Sequence, residues 1–189
     1  MFLKIFMYTI FFVSSCLFCK AQEIRIVKSL NEEWKTTLDT NHSLNAEVVT
    51  TLQPSIKKNW TSVSVPHNWD DYYGYRRLFH GNLHTTAWYS KAFVTPTVAS
   101  QKRFYLFFEG VGSYATVWLN GVNVGSHAGG RTTFTLDVSQ AIRKDKKENI
   151  LVVKAEHPLN IRDLPWVDGG SSTERGFSEG SQPLGIFRP

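Results

Sequence analysis

Cysteine is scarce in this 189-residue chain: there are two, Cys16 and Cys19, and both fall within the first twenty residues. A disulfide framework is therefore excluded from the rest of the chain. Long apolar runs are scarce as well. The longest, 14 mostly apolar residues from Ile5 to Phe18, falls short of the 18 or more that a membrane-spanning helix needs. With Lys4 before it and Cys19-Lys20-Ala21 after it, this run has the parts of a secretory signal peptide. Cleavage is expected before Gln22, which leaves residues 22–189 as one domain and places the protein outside the cytoplasm, in the periplasm or the extracellular space.

A rival cut is also legible. Val13-Ser14-Ser15-Cys16 resembles a lipobox, and use of it would leave a lipidated Cys16, the only route by which a membrane contact is expected. A large excess of one charge is missing too. The leader contains Lys4 and Lys20 and no acid, so its removal lowers the formal charge from +5 by two. Lysines and acids alternate in Lys144-Asp145-Lys146-Lys147-Glu148, as in a solvated turn, and a nucleic-acid partner is not expected. Asn41-His42-Ser43 and Asn59-Trp60-Thr61 match the short glycosylation pattern, which also arises by chance.

Helical periodicity is nearly absent, whereas period-two alternation recurs. Phe134, Leu136 and Val138 alternate with Thr133, Thr135 and Asp137, and Phe104, Leu106 and Phe108 repeat the pattern. Asn120-Gly121 lies between SYATVWL and VNVG, the signature of a two-residue type I′ hairpin turn, which needs positive φ at both centres. Thr61–Val65, Ala87–Val94 and Asn149–Ala155 read as further strands, Ile24–Val27 as a first one, and Ser139–Arg143 as about one helical turn. Aromatic residues make up 14% of the chain. Many short aromatic-rich strands without βαβ alternation predict an all-β fold: an antiparallel jelly-roll β-sandwich with long functional loops.

Two stretches resist a strand reading. One runs from Asn68 to Thr86 and the other from His157 to Leu184, both longer than ordinary connections. Leu164, Trp166 and Phe177 in the second would be costly to expose without a partner, so a contact surface is expected there.

Seven ordered segments stand out: LNEEWK at 30–35, VPHNW at 65–69, TAWYSKAF at 86–93, FEGV at 108–111, VWLNG at 117–121, VGSHAGG at 124–130 and GIFR at 185–188. In that order they resemble the N-terminal sugar-binding domain of glycoside hydrolase family 2, which includes β-galactosidases, β-glucuronidases and β-mannosidases. The resemblance implies a sandwich followed by an immunoglobulin-like domain and a (β/α)8 barrel, and a β-galactoside or related glycan as the carbohydrate partner. It also implies that the chain is a fragment, cut within its last strand. A retaining glycosidase needs two carboxylates about 5 to 5.5 Å apart, and the family supplies them from the barrel. No catalytic residue is therefore named here, and the one Asn-Glu pair, Asn31-Glu32, is expected to be a surface pair. A stand-alone carbohydrate-binding module or lectin is the alternative.

Substrate-binding candidates follow from the resemblance and from side-chain chemistry. Glu179 stands six residues before Gly185, where the family places an acid that reaches a substrate hydroxyl; a solvated loop glutamate is the other reading. Trp166 offers a face on which a pyranose ring stacks, or else pins its loop to the sandwich. Asp70, Asp71, Arg76, His80, Asn82 and His84 form a dense donor and acceptor set suited to polyol recognition or to interdomain packing. Gly81 separates His80 from His84 and no helix carries the pair, so no metal site is expected, nor any cofactor. Gly129-Gly130 fits turn geometry, and Arg131 departs from the aromatic that often follows those glycines in the family.

Overall fold

A computed structural model describes residues 25–51, 60–69, 83–95, 102–144, 146–157 and 184–188. The leader at 1–21 with Cys16, and most of both long connecting stretches, lie outside the described residues. Ten strands and one short helix are described: β1 Trp34–Asp39, α1 Ala46–Thr51, β2 Thr61–Val63, β3 Thr86–Val94, β4 Tyr105–Phe108, β5 Gly110–Gly112, β6 Tyr114–Leu119, β7 Val122–Ala128, β8 Phe134–Asp137, β9 Glu148–Glu156 and β10 Gly185–Arg188. Six of them form one sheet in the order β2-β1-β3-β9-β6-β7, and β10-β5 and β4-β8 form two ribbons. Every pairing is antiparallel. This is the all-β sandwich that the alternation predicts.

The core lies between the large sheet and the ribbons. Register sets Tyr89 opposite Val153 and Val153 opposite Val117, with Ala87, Ala155 and Ala115 in the next inward row. Leu106 and Phe108 of β4, Val111 of β5, Ile186 of β10 and Val138 cover these rows, and the whole set is buried as one cluster. Fully burying a Val, Leu, Ile or Phe side chain contributes about 1.5 to 3 kcal/mol, so this interface dominates stability.

The central strands β3 and β9 bury apolar side chains on both faces, because the outer face of the large sheet is partly covered too. Val49 of α1 packs with Trp60, Trp88 and Val152 in a second buried cluster. Trp88 lies 5.7 Å from Trp118, and the Lys154 ammonium sits over the Trp88 ring at 5.7 Å. Asp39, at the end of β1, accepts hydrogen bonds from the Ser43 and Leu44 amides at 2.8 and 3.0 Å and from Trp88 Nε1 at 3.2 Å. Burial opposes its charge, but these donors outweigh burial and hold its carboxyl below the usual range.

Several sequence expectations are met locally. Asn120 and Gly121 have φ of 54° and 85°, with Leu119 opposite Val122, as a type I′ turn requires. Gly129 has φ of 111°, and its carbonyl accepts the Thr132 amide at 3.2 Å, which is turn geometry. Glu32 is exposed and bonded by the Ser64 hydroxyl, a surface residue as expected.

Two expectations need correction. Residues 25–27 form no strand, and Ile26 and Val27 are exposed. The physical reason is that β1 already has β2 and β3 on its two edges, so residues 25–27 have no open edge of β1 to pair with. The helical turn falls at α1 as well as after β8. Residues 139–141 make a single turn, with the Ala141 and Ile142 amides both donating to the Val138 carbonyl at 3.0 Å. The helix α1 was concealed by the β-branched run Val48-Val49-Thr50-Thr51, yet its start is marked: Asn45 Oδ1 accepts the Val48 amide at 2.8 Å, an N-cap bond.

Candidate functional site

The candidate end of the sandwich is defined by where its strands begin and stop. Thr86 of β3 and Tyr114 of β6 both stand opposite Glu156 of β9. One residue further, the His157 amide donates to the Thr85 carbonyl at 3.0 Å and the Ser113 amide to the Glu156 carbonyl at 2.9 Å. Gly185 of β10 pairs with Gly112 of β5 at the same end. The amides of His67 and Trp69 donate to the carbonyls of Ile186 and Leu184 at 2.8 and 2.9 Å. Trp69 and Leu83 flank the stretch 70–82, and His157 and Leu184 flank 158–183. Both stretches therefore leave and rejoin the sandwich at this one end.

The motif residues that reach this end make the frame. His67 Nδ1 lies 2.8 Å from the Tyr89 hydroxyl, and the His67 ring meets Trp69 and Tyr89 edge-on at 5.4 and 5.8 Å. Trp69 Nε1 donates to Thr36 Oγ1 at 3.2 Å. Burial pushes the Tyr89 hydroxyl well above its ordinary pKa, so it stays a neutral donor. Trp34 is held from the other side, with Nε1 donating to the Leu30 carbonyl at 2.6 Å and its ring 6.3 Å from Tyr89. Residues that announce the motifs thus act mainly by holding β10 and the VPHNW segment together.

Of the candidate residues, His84 is the one described. It is exposed, and its ring lies 4.5 Å from that of His157, tilted by 50°. Glu179, Trp166, Asp70, Asp71, Arg76, His80 and Asn82 lie outside the described residues. His157 was not singled out by sequence, although the alternation Leu151, Val153, Ala155 lands on it when extended by one step. It is 3% exposed, and among the described residues neither ring nitrogen has a partner in full hydrogen-bond geometry. Burial, and then the charge of His84, push its pKa down to about 4, with the nearby Leu83 carbonyl as a weaker opposing influence. Tyr114 is buried beside it in register, and burial pushes its hydroxyl up to about 12.

The described carboxylates at and near this end have structural partners. Asp39 is taken up by Ser43, Leu44 and Trp88, and Glu156 pairs with Lys154 Nζ at 2.6 Å. Among the described residues no three His, Cys, Asp or Glu side chains gather as a metal site, and no helix is long and apolar enough to cross a membrane. Rigid strands that present two long connections at one end can position ligand contacts, with neutral donors and a histidine pair at their roots.

An antiparallel sandwich with its long connections at one end is a scaffold that lectin domains share with proteins of other functions, so the fold by itself does not set the role. The sequence profile of the sugar-binding domain of glycosyl hydrolases family 2 matches residues 27–188, and the chain belongs to that family. It is 28% identical over 151 residues to a putative beta-glucuronidase of Formosa agariphila, an alignment that covers 75% of this chain and 16% of that protein. It is 31% identical over 109 residues to a beta-galactosidase of Thermoanaerobacter pseudethanolicus, covering 58% of this chain and 14% of the relative. The crystal structure of a Bacteroides uniformis beta-glucuronidase superimposes with a TM-score of 0.61 at 23% identity, over 85% of this chain and 17% of that one, a likeness of fold. The chain thus spans about a sixth of the length of these relatives.

Proposed function

We propose that this chain is the sugar-binding part of an exported β-glycosidase, shaping one wall of a pocket whose bond-breaking carboxylates lie in other domains of a longer protein. The family match over residues 27–188 carries the proposal, and the small share of each relative that the match covers, 16% and 14%, supports it. The relatives' names give the substrate class as a β-linked galactoside or glucuronide, with β-galactoside the reading favoured by the sequence motifs. Immunoglobulin-like and barrel domains are the intramolecular partners, and the apolar run Ile5–Phe18 supports export.

In this reading Glu179 accepts a sugar hydroxyl, Trp166 stacks on a ring face, and Asp70, Asp71, Arg76, His80, Asn82 and His84 supply the polar rim. Such remote contacts lower the reaction barrier only when the catalytic groups are present to use them. Calorimetry of the purified chain with a β-galactoside and a β-glucuronide tests this. The expected result is negligible binding by the chain alone, because half of the pocket is supplied elsewhere. Strong unaided binding would replace the proposal with a stand-alone module.

A further inference from the structure

We propose that the His84–His157 pair makes the loop-bearing end of the large sheet an acid-sensitive joint, which loosens below neutral pH while the opposite end of the same sheet stays closed.

The geometry at the two ends differs in kind. At the loop-bearing end a nearly inaccessible imidazole, His157, has no hydrogen bond at either ring nitrogen and faces a second imidazole at 4.5 Å. The Ser113 hydroxyl, also buried and without a partner, belongs to the same end, one residue from Tyr114. A buried polar group without a partner is costly, and a buried charge without one is far more so. Protonating His157 in place would put a cation in a buried setting where only the Leu83 carbonyl acts in its favour, too weakly to offset burial, and beside the second imidazole of His84.

The surrounding ionisable groups do not relieve this. On β9, Glu156 is paired with Lys154. At the end of β1, Asp39 is occupied by Ser43, Leu44 and Trp88. On β6, Tyr114 is neutral at any pH of interest. At the end of β7, His127 stacks on Phe134 at 4.3 Å and bonds Thr132 Oγ1 at 2.7 Å, and burial lowers its pKa. From the β3 side, His84 is the group whose charge acts on His157.

The opposite end holds a polar network that is satisfied and lacks carboxyl or imidazole groups. Asn149, 0% exposed, accepts from Asn120 Nδ2 and the Arg143 amide at 2.8 Å and donates to the Arg143 and Lys147 carbonyls at 3.1 and 3.4 Å. Asn120 also accepts the Ile150 amide at 3.0 Å. The network's own groups, the Asn120 and Asn149 amides and the backbone groups they bond, carry no titratable proton between pH 4 and 7, so it serves as an internal control.

The direction follows from linkage. The closed end favours neutral His157, whose pKa is pushed from 6.5 down to about 4. Its contribution is therefore fully present above 6.5, is lost as pH falls from 6.5 toward about 4, and changes no further below that.

Amide hydrogen exchange on the full 189-residue chain, corrected for the intrinsic pH dependence of exchange, reads the two ends separately. Between pH 6 and 5 the opening of the His157 and Ser113 amides is expected to rise by up to about tenfold, the limit set by uptake of one proton, while the Asn120 amide holds. His84→Gln should reduce that rise, and His157→Gln should abolish it. Equal loss at both ends, or a rise undiminished in His157→Gln, overturns the proposal. Should His157→Gln fail to fold, the ring titration of His157 in the unaltered chain decides: a midpoint well below 6.5 supports the joint, and one at or above 6.5 overturns it.

Discussion

Gly185 is the residue on which the last described strand turns into the sandwich. Its φ is 146°, and a Cβ there would meet the Tyr89 hydroxyl and the His67 carbonyl within bonding-contact range. The His67 carbonyl is backbone and cannot swing away. Gly185→Ala is therefore expected to lower stability by about 2 to 4 kcal/mol, from combined backbone strain and overpacking, and to lower Tm by several degrees in a thermal melt. A Tm within a degree of the parent would show that β10 is not held as described. At this scale the motif letters of the sequence were legible but their reasons were not. His67, Trp34 and Gly185 stand out as family-like residues, yet only the contacts reveal that all three gather around Tyr89. His157 shows the reverse case, since its burial follows from the β9 alternation while its contact with His84 joins residues far apart in sequence.

At the scale of elements, local turn chemistry was readable and nonlocal pairing was not. Asn120-Gly121 dictates its own positive φ values, so the β6–β7 hairpin follows from two residues. Ile24–Val27 has strand composition, but whether it pairs depends on which edges remain open, and β2 occupies the one beside β1. The helix α1 lies between these cases. Its β-branched residues are poor helix formers, and it is fixed by one buried side chain, Val49, together with the Asn45 cap. Asn45→Ala is expected to cost about 1 kcal/mol and Asn45→Gly less, as for other N-caps, measured by denaturant unfolding. Equal stability of Asn45→Ala and the parent would mean that the outer-face cluster of Trp60, Trp88 and Val152 holds the helix without its cap.

At the scale of the whole molecule, the sandwich and its family were legible because motif order and strand alternation extend along the chain, whereas the candidate site was readable only from side-chain chemistry and motif spacing, because its residues lie on two long connections with no periodicity, and of them only His84 falls among the described residues. If the proposed longer enzyme uses Glu179 as argued above, Glu179→Ala lowers its kcat/KM by about 10- to 100-fold, the loss of one charge-assisted hydrogen bond of about 1.5 to 3 kcal/mol to a sugar hydroxyl. An unchanged kcat/KM would make the second long stretch a packing element only.

The most direct measurement is hydrolysis of aryl β-galactoside and aryl β-glucuronide by the purified 189-residue chain. The account predicts release of the aryl group at the rate in buffer alone, because the pair of carboxylates that a retaining glycosidase needs is assigned to other domains. Turnover that copurifies with the chain and scales with its concentration would contradict it.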